Sequence, residues 1–261
     1  MLPLIIRSLR PYQWMKNLII FAPLIFSLNV FEFPLLLKTA AAFGVFCLLS
    51  GAAYLVNDIK DIAEDKIHPK KRLRPLASGR LSISRAVTAA IVTMIFGLGI
   101  AGLLDLRFLI IGSAYILLQL AYSFRLKHIV ILDIFTIAAG FIFRVIAGGM
   151  VIDVGISPWL LICTGLLAFL LALGKRRHEL VVLDEDAARH RPSLNEYSIP
   201  LLDQMISVVT ASTVMAYCLY TISGDTAAKF GTGRLIYTVP FVLYGLFRFR
   251  LASQHCSGVT L

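Results

Sequence analysis

The sequence predicts an all-α protein, a polytopic transmembrane helical bundle of about eight spans, on three observations. Of its 261 residues 58% are apolar and only 15% charged, and the mean hydropathy is +0.82, an excess that no soluble domain carries. The apolar residues fall in continuous runs near the roughly 20 residues that a helix needs to cross hydrocarbon. They do not alternate with polar residues as the strands of a membrane barrel do.

The first run, 18–33, follows Arg7, Arg10 and Lys16 and contains no small-residue cleavage site, so it reads as a retained span and not a signal peptide. The second, 35–56, opens after the Phe33-Pro34 turn and closes on Asn57-Asp58. Runs 84–104 and 108–124 follow, parted by Asp105 and Arg107. The fifth, 129–152, carries Asp133 and Arg144 inside it, together with Gly140, Gly148, Gly149, Ala138, Ala139 and Ala147, a small-residue set that close helix packing explains. Runs 158–173, 201–222 and 235–249 complete the set, the last being short and interrupted by Pro240. Nothing resembles a separate soluble domain, so residues 1–261 read as one integral membrane domain.

With the N-terminus in the cytosol, Lys and Arg number three before the first span, eight between the second and third, two between the fourth and fifth, five between the sixth and seventh, and two at the end. The opposite side holds Lys38, Arg107, Lys229 and Arg234. This bias fixes the orientation and confines most of the net charge of +10 to one face. Cys47, Cys163, Cys218 and Cys256 show no metal or disulfide spacing and read as small hydrophobes. A soluble enzyme and a nucleic-acid partner are excluded; the basic face also carries acids in its long loops, which points to a site there and not to a simple lipid-binding patch. Three cytosolic loops, 57–85, 122–128 and 174–200, are the expected site.

The most informative stretch is Asn57-Asp58-Ile59-Lys60-Asp61-Ile62-Ala63-Glu64-Asp65. At about 100° per residue, a continuous helix would put Asn57, Asp58, Asp61 and Asp65 on one face. Such a stripe of oxygens repels itself unless a cation sits in it, and hard oxygen ligands suit Mg²⁺, which completes its shell with water and substrate phosphate. A solvated helix end is the alternative. Downstream, His68-Pro69-Lys70-Lys71-Arg72-Leu73-Arg74-Pro75 supplies guanidinium and ammonium groups of the kind that grip phosphate, although a cytosolic loop is basic in any case. Tyr122 to His128 and Gly174-Lys175-Arg176-Arg177-His178-Glu179 face the same way; in the second, Lys175 and Glu179 are spaced for a helix-end salt bridge. Asp133 and Arg144, inside a span, face either a cavity or each other.

Asn57 to Asp65 at the end of a second span, followed by a basic loop, resembles the UbiA superfamily of intramembrane prenyltransferases. Most of that superfamily has a second DxxxD motif after the fourth span; this sequence has Tyr122 to Lys127 there. Arg10-Pro11-Tyr12-Gln13-Trp14-Met15-Lys16-Asn17, the NDxxDxxxD stretch with its basic continuation, the Tyr122 to His128 segment, Asp133 with Gly140 to Gly149, and Gly174 to Leu180 together look like the branch typified by decaprenyl-phosphate phosphoribosyltransferase. That branch implies transfer of 5-phosphoribose from phosphoribosyl diphosphate to a polyprenyl phosphate lipid, with release of diphosphate, toward arabinose donors of the cell envelope. It implies a bacterial inner membrane, nine spans where this sequence offers eight, and an oligomeric state that the sequence leaves open.

The expected roles follow. Asn57, Asp58, Asp61 and Asp65 hold Mg²⁺, with Asp58, Asp61 and Asp65 as the catalytic carboxylates; Lys71, Arg72, Arg74, Tyr122, Lys127, Arg144, Lys175 and Arg176 bind substrate. The metal acts as Lewis acid on the leaving group, and the acceptor phosphate, already an anion, needs no general base. Two other readings compete: a prenyltransferase using a prenyl diphosphate and an aromatic or other acceptor, and a transporter or non-catalytic scaffold, against which the gathering of charge at one surface counts.

Overall fold

The computed structural model describes residues 2–183 and 196–255, and those residues form helices and turns without a strand. Seven helices among them are long and apolar enough to cross a membrane, and the chain is an integral membrane protein. It divides into two compact units, Met1–Ile156 and Ser157–Leu261.

The first unit opens with α1 (Leu2–Ser8), a 3₁₀ segment (Pro11–Phe21) and α2 (Ala22–Phe26). It continues with α3 (Phe33–Lys60), the short α4 (Ile62–Ile67), α5 (Ile83–Leu104), α6 (Leu106–Phe124) and α7 (Leu132–Val151). Pro34 in the first turn starts α3, where its missing N–H costs nothing. Between α5 and α6 the extended Asp105 caps α6 by accepting from the backbone N–H groups of Arg107 at 2.7 Å and Phe108 at 3.0 Å, so the chain reverses at one residue. Phe46 of α3 packs its ring 5.1 Å from that of Tyr115 and 5.9 Å from that of Phe108, centring a core that also buries Ile20, Leu24 and Val151.

The expected span 18–33 is the element the structure redraws. Residues 11–26 are built as 3₁₀ followed by α2, and the chain then turns through Leu28, at φ 65, leaving Phe31 97% exposed. The segment runs antiparallel to α3: Arg10 meets Tyr54 and Asp58, Asn17 meets Ser50 and Cys47, and Phe21 meets Phe43. Other expected spans recur within a few residues of their predicted bounds, except that the sixth continues as helix well past residue 173.

In the second unit that helix is α8 (Pro158–Leu183), followed by α9 (Ile199–Ile222), α10 (Gly224–Phe230) and α11 (Val239–His255). Arg177 of α8 pairs with Asp203 of α9 at 2.7 Å, and Tyr217 of α9 bonds Thr238 at 2.7 Å. The segment from Gly174 to Leu180 is therefore helical, not the start of a loop, and much of the remaining expected loop, with His190, lies outside the described residues.

Candidate active site

The end of α3 positions the acidic stretch, but the helix does not run through it. It breaks at Asp61, at φ −97° and ψ 15°, and α4 resumes one residue later. Backbone bonds from Asp61 to Asn57 at 3.0 Å and from Asp65 to Asp61 at 2.8 Å keep the four side chains near one face despite the break. They form two groups. Asp58, 2% exposed, accepts from Arg10 and, at 3.1 Å, from Arg74; the same Arg74 nitrogen donates to Asp65 at 2.5 Å. Asp61 accepts from Lys127 and, at 2.9 Å, from the Asn57 amide. The burial of Asp58 and Asp65 speaks against the alternative of a solvated helix end.

Arg74 reaches these carboxylates because its loop is anchored on both sides. Leu76 and Leu81 are buried against Leu55 of α3 and Ala86 and Ala90 of α5. Ser78 and Gly79 donate back to Arg74 and Leu76 at 2.9 and 3.0 Å, and Arg80 ties to the carbonyl of Leu73 at 2.8 Å. Lys127 arrives from the turn after α6, where Lys60 of α3 also lies over the Phe124 ring at 5.8 Å. Burial pushes the carboxyl of Asp65 up from its ordinary value, against the downward pull of Arg74 and Lys71.

Of the other expected substrate residues, Lys71 lies near enough to influence Asp65, Arg72 is exposed and Tyr122 is half-buried at the end of α6. Arg144 stands apart from the carboxylates: it bonds Asn17, the carbonyl of Gly140 and Tyr115 in the interior of the first unit. In the second unit Arg176 is fully buried and pairs with Glu179, while Lys175, 59% exposed, stands 3.9 Å from the same carboxylate. Arg10 is the residue that spacing missed. It lies 48 positions from Asp58, and its place before an apolar run made it read as a topogenic charge.

The donor chemistry fits a hard divalent cation. Asp58 and Asp65 converge on one nitrogen of Arg74, and no thiolate or imidazole enters the set. Among the described residues no three His, Cys, Asp or Glu side chains stand close enough to ligate one ion, so the four expected ligands do not meet at one point. Such a site calls for Mg²⁺ bound by one or two carboxylates and completed by substrate phosphate.

The family and its relatives define a membrane-embedded transferase. The chain belongs to the UbiA prenyltransferase family, whose model matches residues 18–257 and so spans both units. It is 36% identical over 227 residues to the decaprenyl-phosphate phosphoribosyltransferase of Mycolicibacterium smegmatis, covering 85% of this chain and 71% of that one. The protein of the same name from Mycobacterium tuberculosis is 30% identical over 248 residues, 93% of this chain and 82% of its own. A UbiA homolog from Archaeoglobus fulgidus, solved bound to DMAPP and Mg²⁺, shares the fold with a TM-score of 0.76 at 15% identity, over 98% of this chain and 89% of that one.

Proposed function

We propose that the protein transfers 5-phosphoribose from phosphoribosyl diphosphate to the phosphate of a polyprenyl lipid, on the cytosolic face of a bacterial inner membrane. One observation carries the reading. Lys127, from the turn after α6, reaches into the acidic stretch at Asp61. A site with three cations among three carboxylates, Arg10, Arg74 and Lys127, suits a substrate richer in phosphate than a prenyl diphosphate. The names of the mycobacterial relatives support the same choice.

In this reading Asp58 and Asp65 hold Mg²⁺ against the diphosphate, with Asn57 and Asp61 at its flank. The bound metal supplies Lewis-acid stabilisation of the departing diphosphate. Arg74, Lys127, Lys71, Arg72 and Arg10 hold phosphate oxygens of the donor, and Tyr122 lines the approach. A phosphate oxygen of the lipid forms a bond to C1 of the ribose as the C1–O bond to diphosphate breaks, and the electron pair leaves with the diphosphate. The acceptor enters as an anion, so no side chain has to remove a proton.

The test is purified protein in detergent with polyprenyl phosphate, Mg²⁺ and phosphoribosyl diphosphate labelled in the ribose. Label is expected in the lipid fraction, and chelator is expected to abolish it. Efficient product from a polyprenyl diphosphate and an aromatic acid, with none from phosphoribosyl diphosphate, would replace this reading with the ordinary prenyltransferase reaction.

A further inference from the structure

The 3₁₀ segment needs an external support. Runs of this geometry beyond three or four residues are uncommon because their hydrogen bonds are poorly aligned, yet eleven residues, Pro11–Phe21, adopt it. Three contacts clamp it. Just before its start, Leu9 fits against Gly51 of α3, where a Cβ would stand 2.9 Å from the leucine Cδ2. In its middle the fully buried Asn17 donates to Ser50 at 3.2 Å and Cys47 at 3.4 Å on α3, and accepts from Arg144 Nε of α7 at 2.7 Å. Near its end the backbone carbonyl of Ile20 presses onto α7 at Gly148, into the volume a Cβ would fill.

Arg144 is the charged member of this clamp and carries a cost that calls for a purpose. It is 5% exposed, and none of the ion pairs among the described residues is its own. Its charge is met instead by neutral oxygens, the Gly140 carbonyl at 2.7 Å and Tyr115 hydroxyl at 2.8 Å besides Asn17, and by the rings of Tyr115 at 4.8 Å and Phe141 at 5.6 Å. An ionisable side chain inside a span is expensive and marks function by default. Of its three hydrogen bonds, the one to Asn17 leaves the α6 and α7 pair.

Between the first two clamps sits Arg10, at φ 54 and ψ 64. A non-glycine residue keeps this left-handed conformation only where its surroundings over-determine it. Its guanidinium lies 4.9 Å from the centre of the Tyr54 ring and pairs with Asp58. A slip of one residue in a 3₁₀ run moves each side chain about 2 Å along the axis and a third of a turn around it, which would take Arg10 off Asp58.

We infer that Arg144 is a positioning residue: through Asn17 it fixes the register of the 3₁₀ segment along α3, and so presents Arg10 to Asp58. It stands behind the site and does not touch substrate. The inference rests on the reading of Asp58 as part of a site for Mg²⁺ and diphosphate.

A double-mutant cycle tests it, read by calorimetric titration of inorganic diphosphate with Mg²⁺ into the full-length protein in detergent. Arg10→Gln is expected to weaken binding about tenfold, the loss of one charge-assisted contact, and Asn17→Ala and Arg144→Lys several-fold. Combined with Arg10→Gln, either second change is expected to add no more than about twofold, because both act through Arg10. Effects that multiply in full would overturn the inference. Should Arg144→Lys fail to fold, Asn17→Ala, which removes one short amide, carries the cycle alone. Tyr115→Phe keeps the bond between Asn17 and Arg144 and is expected to lower the melting temperature without weakening diphosphate binding; binding lost as strongly as in Asn17→Ala would mean general damage to the interior and overturn the inference. A wild type that binds no Mg²⁺ diphosphate overturns the site reading and this inference with it. A wild type that binds it but transfers no phosphoribose overturns only the substrate assignment, and the cycle still decides.

Discussion

Asp58 and Asp61 are three residues apart and do different structural work. Asp58 is buried beneath two guanidinium groups, whereas the side chain of Asp61 is 22% exposed and meets Lys127. Removing one partner of a buried ion pair leaves an uncompensated charge, at a cost of about 3 to 5 kcal/mol, while a partly exposed pair is screened and contributes far less. Asp58→Ala is therefore expected to lower the melting temperature sharply as well as abolish turnover, Asp65→Ala to do so less severely because Arg74 keeps Asp58, and Asp61→Ala to lose turnover with the smallest thermal change, since Asp61 is partly exposed although Lys127 is buried. Thermal unfolding beside the lipid-labelling assay checks this. Equal melting temperatures for all three would return the stripe to a solvated helix end. The types of these residues were legible in sequence, and Arg74 and Lys127, expected as phosphate ligands, are paired with the carboxylates in the structure. The burial of the carboxylates was not legible, since it depends on Leu76 and Leu81 closing the loop onto α3 and α5. Nor was Arg10, because spacing relates neighbours along a helix and says nothing of a partner 48 positions away.

Among elements, the first crossing shows how hydropathy errs. A 3₁₀ helix rises about 2.0 Å per residue against 1.5 Å for an α-helix, so residues 11–26 extend about 30 Å, the thickness of the hydrocarbon core, although too short to do so as an α-helix. An apolar-window reading assumes the α rise and therefore slid the span toward the turn at 27–32. The eight expected spans and the seven long apolar helices among the described residues differ by this segment. The clamp at Gly148 makes a sharp prediction: Gly148→Ala drives a methyl into the Ile20 carbonyl, and is expected to cost about 1 to 3 kcal/mol or to displace the segment, read as a lower melting temperature and lost diphosphate binding. Unchanged stability would show that the segment yields freely there. A second test concerns the corner at Asp105. Desolvation, the largest single influence, works the other way, but the N–H of Phe108 and the guanidinium and N–H of Arg107 together outweigh it and hold the carboxyl below the ordinary value of 3.8. A depressed folded-state pKa contributes stability that is present above the unfolded value and lost as pH falls through the folded one. Asp105→Ala is thus expected to cost about 1 kcal/mol near neutrality and to cost nothing in acid below both values. A cost that stayed constant into acid would mean that the carboxylate charge plays no part in the cap.

At the scale of the whole chain, the division into two compact units was not legible, since hydropathy marks crossings and not how they group. Orientation, by contrast, is an expectation from charge, and the structure adds a constraint to it. The pair between Arg10 and Asp58 puts the start of the first crossing and the end of the second at one level, which is the parity that charge counting requires. On that parity charge counting expects 57–85, 122–128 and 174–200 on the side of the N-terminus, which holds most of the Lys and Arg, and Lys38, Arg107, Lys229 and Arg234 on the other. A phosphorylated sugar donor cannot cross a bilayer unaided, so the proposed reaction requires these loops to face the compartment that makes it. In a variant with the four native cysteines replaced, Lys70→Cys is expected to react with a membrane-impermeant maleimide only after the cells are opened, and Lys229→Cys to react in intact spheroplasts; both positions are exposed, so failure to label would not reflect burial. The reverse pattern would place the carboxylates outside, where the basic loops would defy the insertion rule, and would rule out a cytosolic donor at this site whatever the chain transfers in detergent.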